Sequence, residues 1–144
     1  MRPVATVLVV DDEPIVREVV VRYLEREGYT TLEADDGDDA RALVERESPD
    51  LVVLDVMLPG TDGLELCRWI RSHSELPVIM LTGHGDIASI DRAYHIGANA
   101  FATKPVNWRQ LSYQIRYVLR TSRLERLHGN DLRDGDREAD VHRL

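Results

Sequence analysis

One cysteine, Cys67, occurs among the 144 residues. This excludes an intramolecular disulfide, and with no Cys/His cluster at ligand spacing it also excludes a zinc site. Cys67 falls within the apolar pattern of LELCRWI, as a buried structural thiol does. No apolar stretch approaches the ~18 residues of a membrane span. The opening MRPVATVLVV is apolar only briefly before it meets acids, unlike a secretory leader with its small-residue cleavage site. Positive charge is in deficit, with 18 Lys and Arg against 26 Asp and Glu and a net charge of −8. That balance argues against direct nucleic-acid binding, which needs a basic face, and suits a site that holds a divalent cation. The first apolar run is followed by DDEP, not by a Gly-rich phosphate loop, so a nucleotide-binding motif is absent there. There is no internal repeat. What remains is a single cytoplasmic domain, long enough to bury a core without staples.

Short apolar runs alternate with longer amphipathic segments. TVLVV (6–10), LVVLDV (51–56) and PVIMLT (77–82) read as buried parallel strands, apolar on both faces, and YTTLEA (29–34) and NAFAT (99–103) as weaker ones. Helical patterns cover 14–27, ended by Gly28; 37–47, ended before Pro49; 63–73, after the turn PGTDG; and 86–96, ended by Gly97. A last helix is expected from an Asn107 N-cap to about Leu124. Five βα units imply a doubly wound parallel α/β sheet with right-handed crossovers. The domain is therefore assigned to 1–124. From His128 the chain is rich in Asp, Glu, Arg and Gly with little to bury, so 125–144 is expected to be a flexible charged tail.

In an open α/β sheet ligands bind at the carboxyl ends of the strands. The first strand ends in Asp11-Asp12, the third in Asp55 and the fourth in Thr82, and the fifth runs into Lys104-Pro105. Three carboxylates, a hydroxyl and an ammonium therefore converge on one edge. Carboxylates crowded in this way repel unless a cation lies among them. Asp11, Asp12 and Asp55 supply hard oxygens suited to Mg²⁺. A carboxylate can also attack a phosphoryl group to form an acyl phosphate, and Asp55, after the most apolar central strand, is the candidate. The cation and Lys104 balance charge on the transferring oxygens, and Thr82 can hydrogen-bond one of them.

VLVVDDEP, LVVLDVMLPGTDG, PVIMLTG and FATKP, in that order, resemble the signature segments of a bacterial two-component response-regulator receiver domain, over about residues 5 to 122. The resemblance implies a flavodoxin-like (βα)5 fold with strand order 2-1-3-4-5; a chemotaxis receiver is a known example of that order. It also implies the following roles. Asp11 and Asp12 hold Mg²⁺ with Asp55 and the backbone carbonyl of Met57. Asp55 is the phosphoacceptor, and Thr82 and Lys104 bind the phosphoryl group. Phe101 is the aromatic switch residue, working with Thr82, and the Lys104-Pro105 peptide is cis. Met57 and His84, each two residues after a site residue, tune dephosphorylation. The implied protein is no turnover enzyme: it takes a phosphoryl group from a sensor histidine kinase or phosphotransfer protein and loses it by its own hydrolysis. The surface of the fourth helix, fifth strand and fifth helix (about 86–122) then changes to engage an output partner or a second copy.

Other readings meet obstacles in particular residues. Phosphatases and phosphotransferases with an aspartyl nucleophile usually carry a second acid two positions on, where this chain has Met57. A phosphate-independent interaction module predicts loss of a key residue, and none is missing. ADDGDDA (34–40) lacks calcium-loop spacing and reads as a solvated loop and helix start. His84 has no second histidine at ligand spacing and reads as a loop residue. LDVMLPGTDGLELCRWIR is similar to receivers joined to winged-helix DNA-binding domains, and GANAFATKPVNWRQLSYQIRYVLR to receivers placed before cyclic-dinucleotide signalling domains. The former group usually has an acidic pair where Asn99-Ala100 stands here.

Overall fold

The computed structural model describes residues 5–58, 62–83 and 87–133. Strands β1 (Thr6–Val10), β2 (Thr30–Ala34), β3 (Leu51–Asp55), β4 (Val78–Thr82) and β5 (Ala100–Thr103) alternate with helices α1 (Pro14–Arg26), α2 (Gly37–Glu47), α3 (Gly63–His73), α4 (Ile87–Ile96) and α5 (Trp108–Arg133). All strand pairings are parallel, in the order β2-β1-β3-β4-β5. This is the doubly wound arrangement expected from the sequence.

β3 and β4 are buried throughout, because alternate side chains serve two cores on opposite faces of the sheet. Leu8, Val52, Leu54 and Met80 meet α2 and α3 through Ala40, Val44, Leu66, Cys67 and Ile70. Val7, Val53, Ile79 and Leu81 meet α1 and α5 through Val20, Leu24, Leu111 and Ile115. Each large apolar side chain buried in this way contributes roughly 1.5–3 kcal/mol. The central strands cannot slip in register without moving every such residue to the wrong face.

The helix boundaries follow local chemistry. Asp36 caps α2 by accepting from the Asp39 amide at 2.8 Å, Asp62 caps α3 by accepting from Leu64 at 2.8 Å, and Asn107 accepts from Gln110 at 3.0 Å at the start of α5. The expected helix start in ADDGDDA is thus observed, with Asp36 as its cap. Gly28 and Gly97 follow α1 and α4 at φ 99° and 118°, a region that favours glycine. One boundary differs from expectation: α5 continues through Arg133, past the Leu124 end read from the sequence. Arg, Leu and Glu after Ser122 are good helix formers, no proline intervenes, and Gly129 alone costs only about 1 kcal/mol. The tail expected from residue 125 thus begins inside a helix, and residues 134–144 lie outside the described residues. No helix among the described residues is long and apolar enough to cross a membrane.

Candidate phosphoryl-transfer site

The carboxyl ends of β1, β3, β4 and β5 deliver their polar residues to one edge of the sheet. Asp11 is fully buried, Asp55 is 4% exposed and Thr82 is buried, whereas Asp12 is exposed. Lys104 enters from the end of β5 and ties the edge together. Its Nζ lies 3.1 Å from Asp55 Oδ2, 3.2 Å from Asp11 Oδ2 and 3.3 Å from Glu13 Oε1. The Lys104-Pro105 peptide is cis.

Asp55 is held at both oxygens. Oδ1 accepts from the Met57 amide at 3.1 Å and Oδ2 accepts from Lys104. Burial, reinforced by the neighbouring Asp11 charge, raises the Asp55 pKa, against the lowering pull of the Met57 amide and of Lys104. Lys104 shows the reverse balance. Burial alone would lower its pKa, but Asp55 and Asp11 together raise it, so the ammonium stays charged. Asp11 Oδ1 accepts from the Glu13 amide at 2.9 Å. Asp11 Oδ2 is buried with no hydrogen-bond donor, although it lies within ion-pairing distance of Lys104. A buried carboxylate oxygen that shares its one ammonium with Asp55 and Glu13 is a fit ligand for a cation. Carboxylate oxygens of Asp11, Asp12 and Asp55 lie within 4.8 Å of one another, a set of hard donors that fits Mg²⁺.

Thr82 reaches the edge, but its Oγ1 donates to the Gly83 carbonyl at 3.0 Å, so the hydroxyl must rotate to meet a phosphoryl oxygen. Met57 projects its side chain outward, 71% exposed. Phe101 is half-buried against the α2/α3-side core and meets Tyr94 of α4 edge to face, with centroids 5.1 Å apart. His84 lies outside the described residues. Asn99, at the position usually acidic in winged-helix receivers, pairs through its own amide with Val78 O and accepts from Val78 N on Oδ1, so it extends the β4–β5 pairing.

Three contacts at this edge were not read from the sequence. Glu13 was one of a crowd of acids, and its role as a third partner of Lys104 depends on β5. Tyr94 was one of several tyrosines until α4 folded over Phe101. Arg17 left a usable sign: it is three, four and seven positions before the inward-facing Val20, Val21 and Leu24, so a charge sat on the buried stripe of α1 and needed a partner.

A family model described as the response regulator receiver domain matches residues 7–116. The chain is 41% identical over 114 residues to the transcriptional regulatory protein ResD of Bacillus subtilis (strain 168), an alignment covering 79% of this chain and 48% of that protein. It spans about half the length of the curated relatives it first matches. Among solved structures, the receiver domain of NtrX from Brucella abortus is 41% identical with a TM-score of 0.77, covering 80% of this chain and 98% of that one. NtrX itself from the same organism is 38% identical with a TM-score of 0.84, covering 96% of this chain and 32% of that one.

Proposed function

The chain belongs to the response regulator receiver domain family, and from that premise we propose that it is a phosphorylation-controlled switch whose phosphoacceptor is Asp55. The observation that carries this reading is the buried Asp55 carboxylate, bridged by Lys104 and set beside Asp11 and Asp12. In the reaction, an Asp55 oxygen attacks the donor phosphorus. The P–N bond of a kinase phosphohistidine, or the P–O bond of a small acyl phosphate, breaks as the new acyl phosphate forms. Lys104 stays charged and follows the incoming oxygens, while Thr82 turns from Gly83 to donate to one of them. Asp11, Asp12, Asp55 and the Met57 carbonyl would hold Mg²⁺, which when bound neutralises charge on the phosphoryl oxygens. The switch unit is assigned to residues 1–124. The test is mass spectrometry after incubation with acetyl phosphate. One phosphoryl increment is expected with Mg²⁺ and none with EDTA; an increment independent of Mg²⁺ would overturn the metal assignment.

Two surfaces suit the partners this reading requires. A donor must cover the rim of Asp55, and beside that rim runs an apolar groove lined by Ile15, Val16, Val19, Pro105, Val106 and Trp108. Ile15 is 77% exposed, and the groove is assigned to the sensor histidine kinase or phosphotransfer protein. Elsewhere, exposed Tyr94 of α4 meets Phe101 of β5, and Tyr113 and Tyr117 are exposed on α5. Rotation of Thr82 frees space for Phe101 to move, which alters this α4-β5-α5 face for an output partner or a second copy.

Two predictions follow from the site's own atoms. Asp12→Ala is expected to weaken Mg²⁺ binding in calorimetry by about tenfold or more. Wild-type affinity should rise with pH through the carboxylate range, and the raised pKa of Asp55 extends that rise upward. Unchanged affinity in Asp12→Ala would leave Asp12 no part in the cation site. Hydrolysis of the acyl phosphate needs a water in line behind phosphorus, and the apolar Met57 side chain cannot orient one. His84 is the second position assigned to this tuning. Met57→Asn is expected to shorten the lifetime of the Asp55 phosphate several-fold, followed by loss of the mass increment with time; equal decay would remove Met57 from this role.

A further inference from the structure

We propose that Arg17 is a positioning residue for the cation site: it fixes the peptide from which Asp11 projects and so aims Asp11 Oδ2. The inference rests on the assignment of Mg²⁺ to Asp11, Asp12 and Asp55 above. Asp11 stands where β1 leaves the sheet, and three of its polar groups are already engaged. Its amide donates to Ala34 O at 3.2 Å, its carboxylate Oδ1 accepts from the Glu13 amide at 2.9 Å, and its carbonyl accepts from Arg17 Nη1 at 2.6 Å. Arg17 is the only side chain among those three partners. Its own direction is fixed in turn by Nε, which donates to Glu33 Oε1 on β2 at 3.1 Å.

The guanidinium therefore joins α1, the end of β1 and β2 through one planar fork, with 18% of the side chain exposed. A carbonyl at the end of a strand otherwise turns to water and leaves the following residues free to pivot. With the carbonyl clamped, Oδ2 of Asp11 keeps its place beside Asp55 while sharing the Lys104 ammonium with Asp55 and Glu13. An arginine suits this role because its fork makes two contacts in a fixed relation, which the single ammonium of a lysine cannot do. Loss of positive charge alone would act in the opposite direction, favouring a nearby cation, so charge and geometry are separable by experiment.

The test is calorimetric titration of the folded chain with MgCl₂, alongside thermal midpoints measured without metal. Arg17→Lys keeps the charge and loses the fork, and its Mg²⁺ Kd is expected to rise about tenfold, as for other residues that orient metal ligands. Glu33→Gln, which loosens the fork without touching Asp11, is expected to raise Kd about threefold. Arg22→Lys is the matched control, because Arg22 pairs with Glu18 along the outside of α1 at 2.7 Å, and its Kd should equal wild type. A merely structural role for Arg17 predicts a lower thermal midpoint with Kd unchanged. That result, or a tighter Kd in Arg17→Lys, overturns the proposal. Absence of Mg²⁺ binding by the wild-type chain would instead overturn the cation assignment on which it rests.

Discussion

Asp55→Asn is expected to gain no phosphoryl mass from acetyl phosphate and Mg²⁺, and to unfold at a higher temperature than wild type in metal-free buffer. The first outcome follows from the chemistry, because an amide oxygen is no nucleophile toward phosphorus under conditions where a carboxylate is. The second follows from the electrostatics. Asp55 carries a charge at 4% exposure beside Asp11, and burial raises its pKa from the ordinary 3.8. A raised folded-state value means that the unfolded chain loses this proton first as pH rises. Stability is therefore lost across the window from 3.8 up to the Asp55 value, and the loss persists at neutral pH. Asparagine removes that cost. It can still accept from Met57 at Oδ1, while its new amide takes the place of the oxygen that accepted from Lys104. Lys104 keeps Asp11 and Glu13 as partners. The gain persists at neutral pH and should shrink below the ordinary carboxylate range, where wild-type Asp55 is also neutral. Saturating Mg²⁺ should narrow the gap, because it stabilises the wild-type folded state by mass action. A variant that labels fully would remove Asp55 as phosphoacceptor. A variant that labels not at all but melts lower would mean that the Lys104–Asp55 pair stabilises more than the buried charge costs.

That opposition between stability and function explains which parts of the molecule could be read from its sequence. The central strands were legible because apolar runs at 6–10, 51–56 and 77–82 admit little else when both faces of a sheet are covered. The caps Asp36 and Asn107 and the glycines Gly28 and Gly97 carry their reasons locally, in a side-chain oxygen or a positive φ. The acids at the strand ends were legible because they break the pattern that built the strands. The network around them was not. Arg17 meets Asp11 O and Glu33 only after β2 has paired with β1. Glu13 finds Lys104 only once β5 lies at the far side of β4. The end of α5 eluded the reading for a different reason, since a charged, glycine-containing segment argues against a buried face without arguing against a helix.

Gly63→Ala is expected to damage the molecule far more than Gly83→Ala. Gly63 opens α3 directly against the end of β3, and its amide donates to Val56 O at 2.8 Å. A Cβ there would stand 2.6 Å from Val56 O and 2.8 Å from Val56 Cα, and it would also meet Asp55 O. All three are backbone atoms, so no rotamer relieves the contact. Either α3 retreats from the sheet, opening space beside Leu64, Leu66 and Cys67, or the Asp55–Met57 backbone is displaced. Forced overpacking of this kind costs about 3 kcal/mol, or about 10 °C in thermal midpoint. Displacement of Asp55 and Met57 should also slow labelling by acetyl phosphate in whatever fraction remains folded. Gly83→Ala provides the contrast, because a Cβ there meets nothing within 4 Å although the residue directly follows Thr82; its midpoint should equal wild type. If Gly63→Ala melts with wild type and labels at the wild-type rate, the start of α3 yields without cost, and the close approach of helix to strand is not what holds the phosphoacceptor in place.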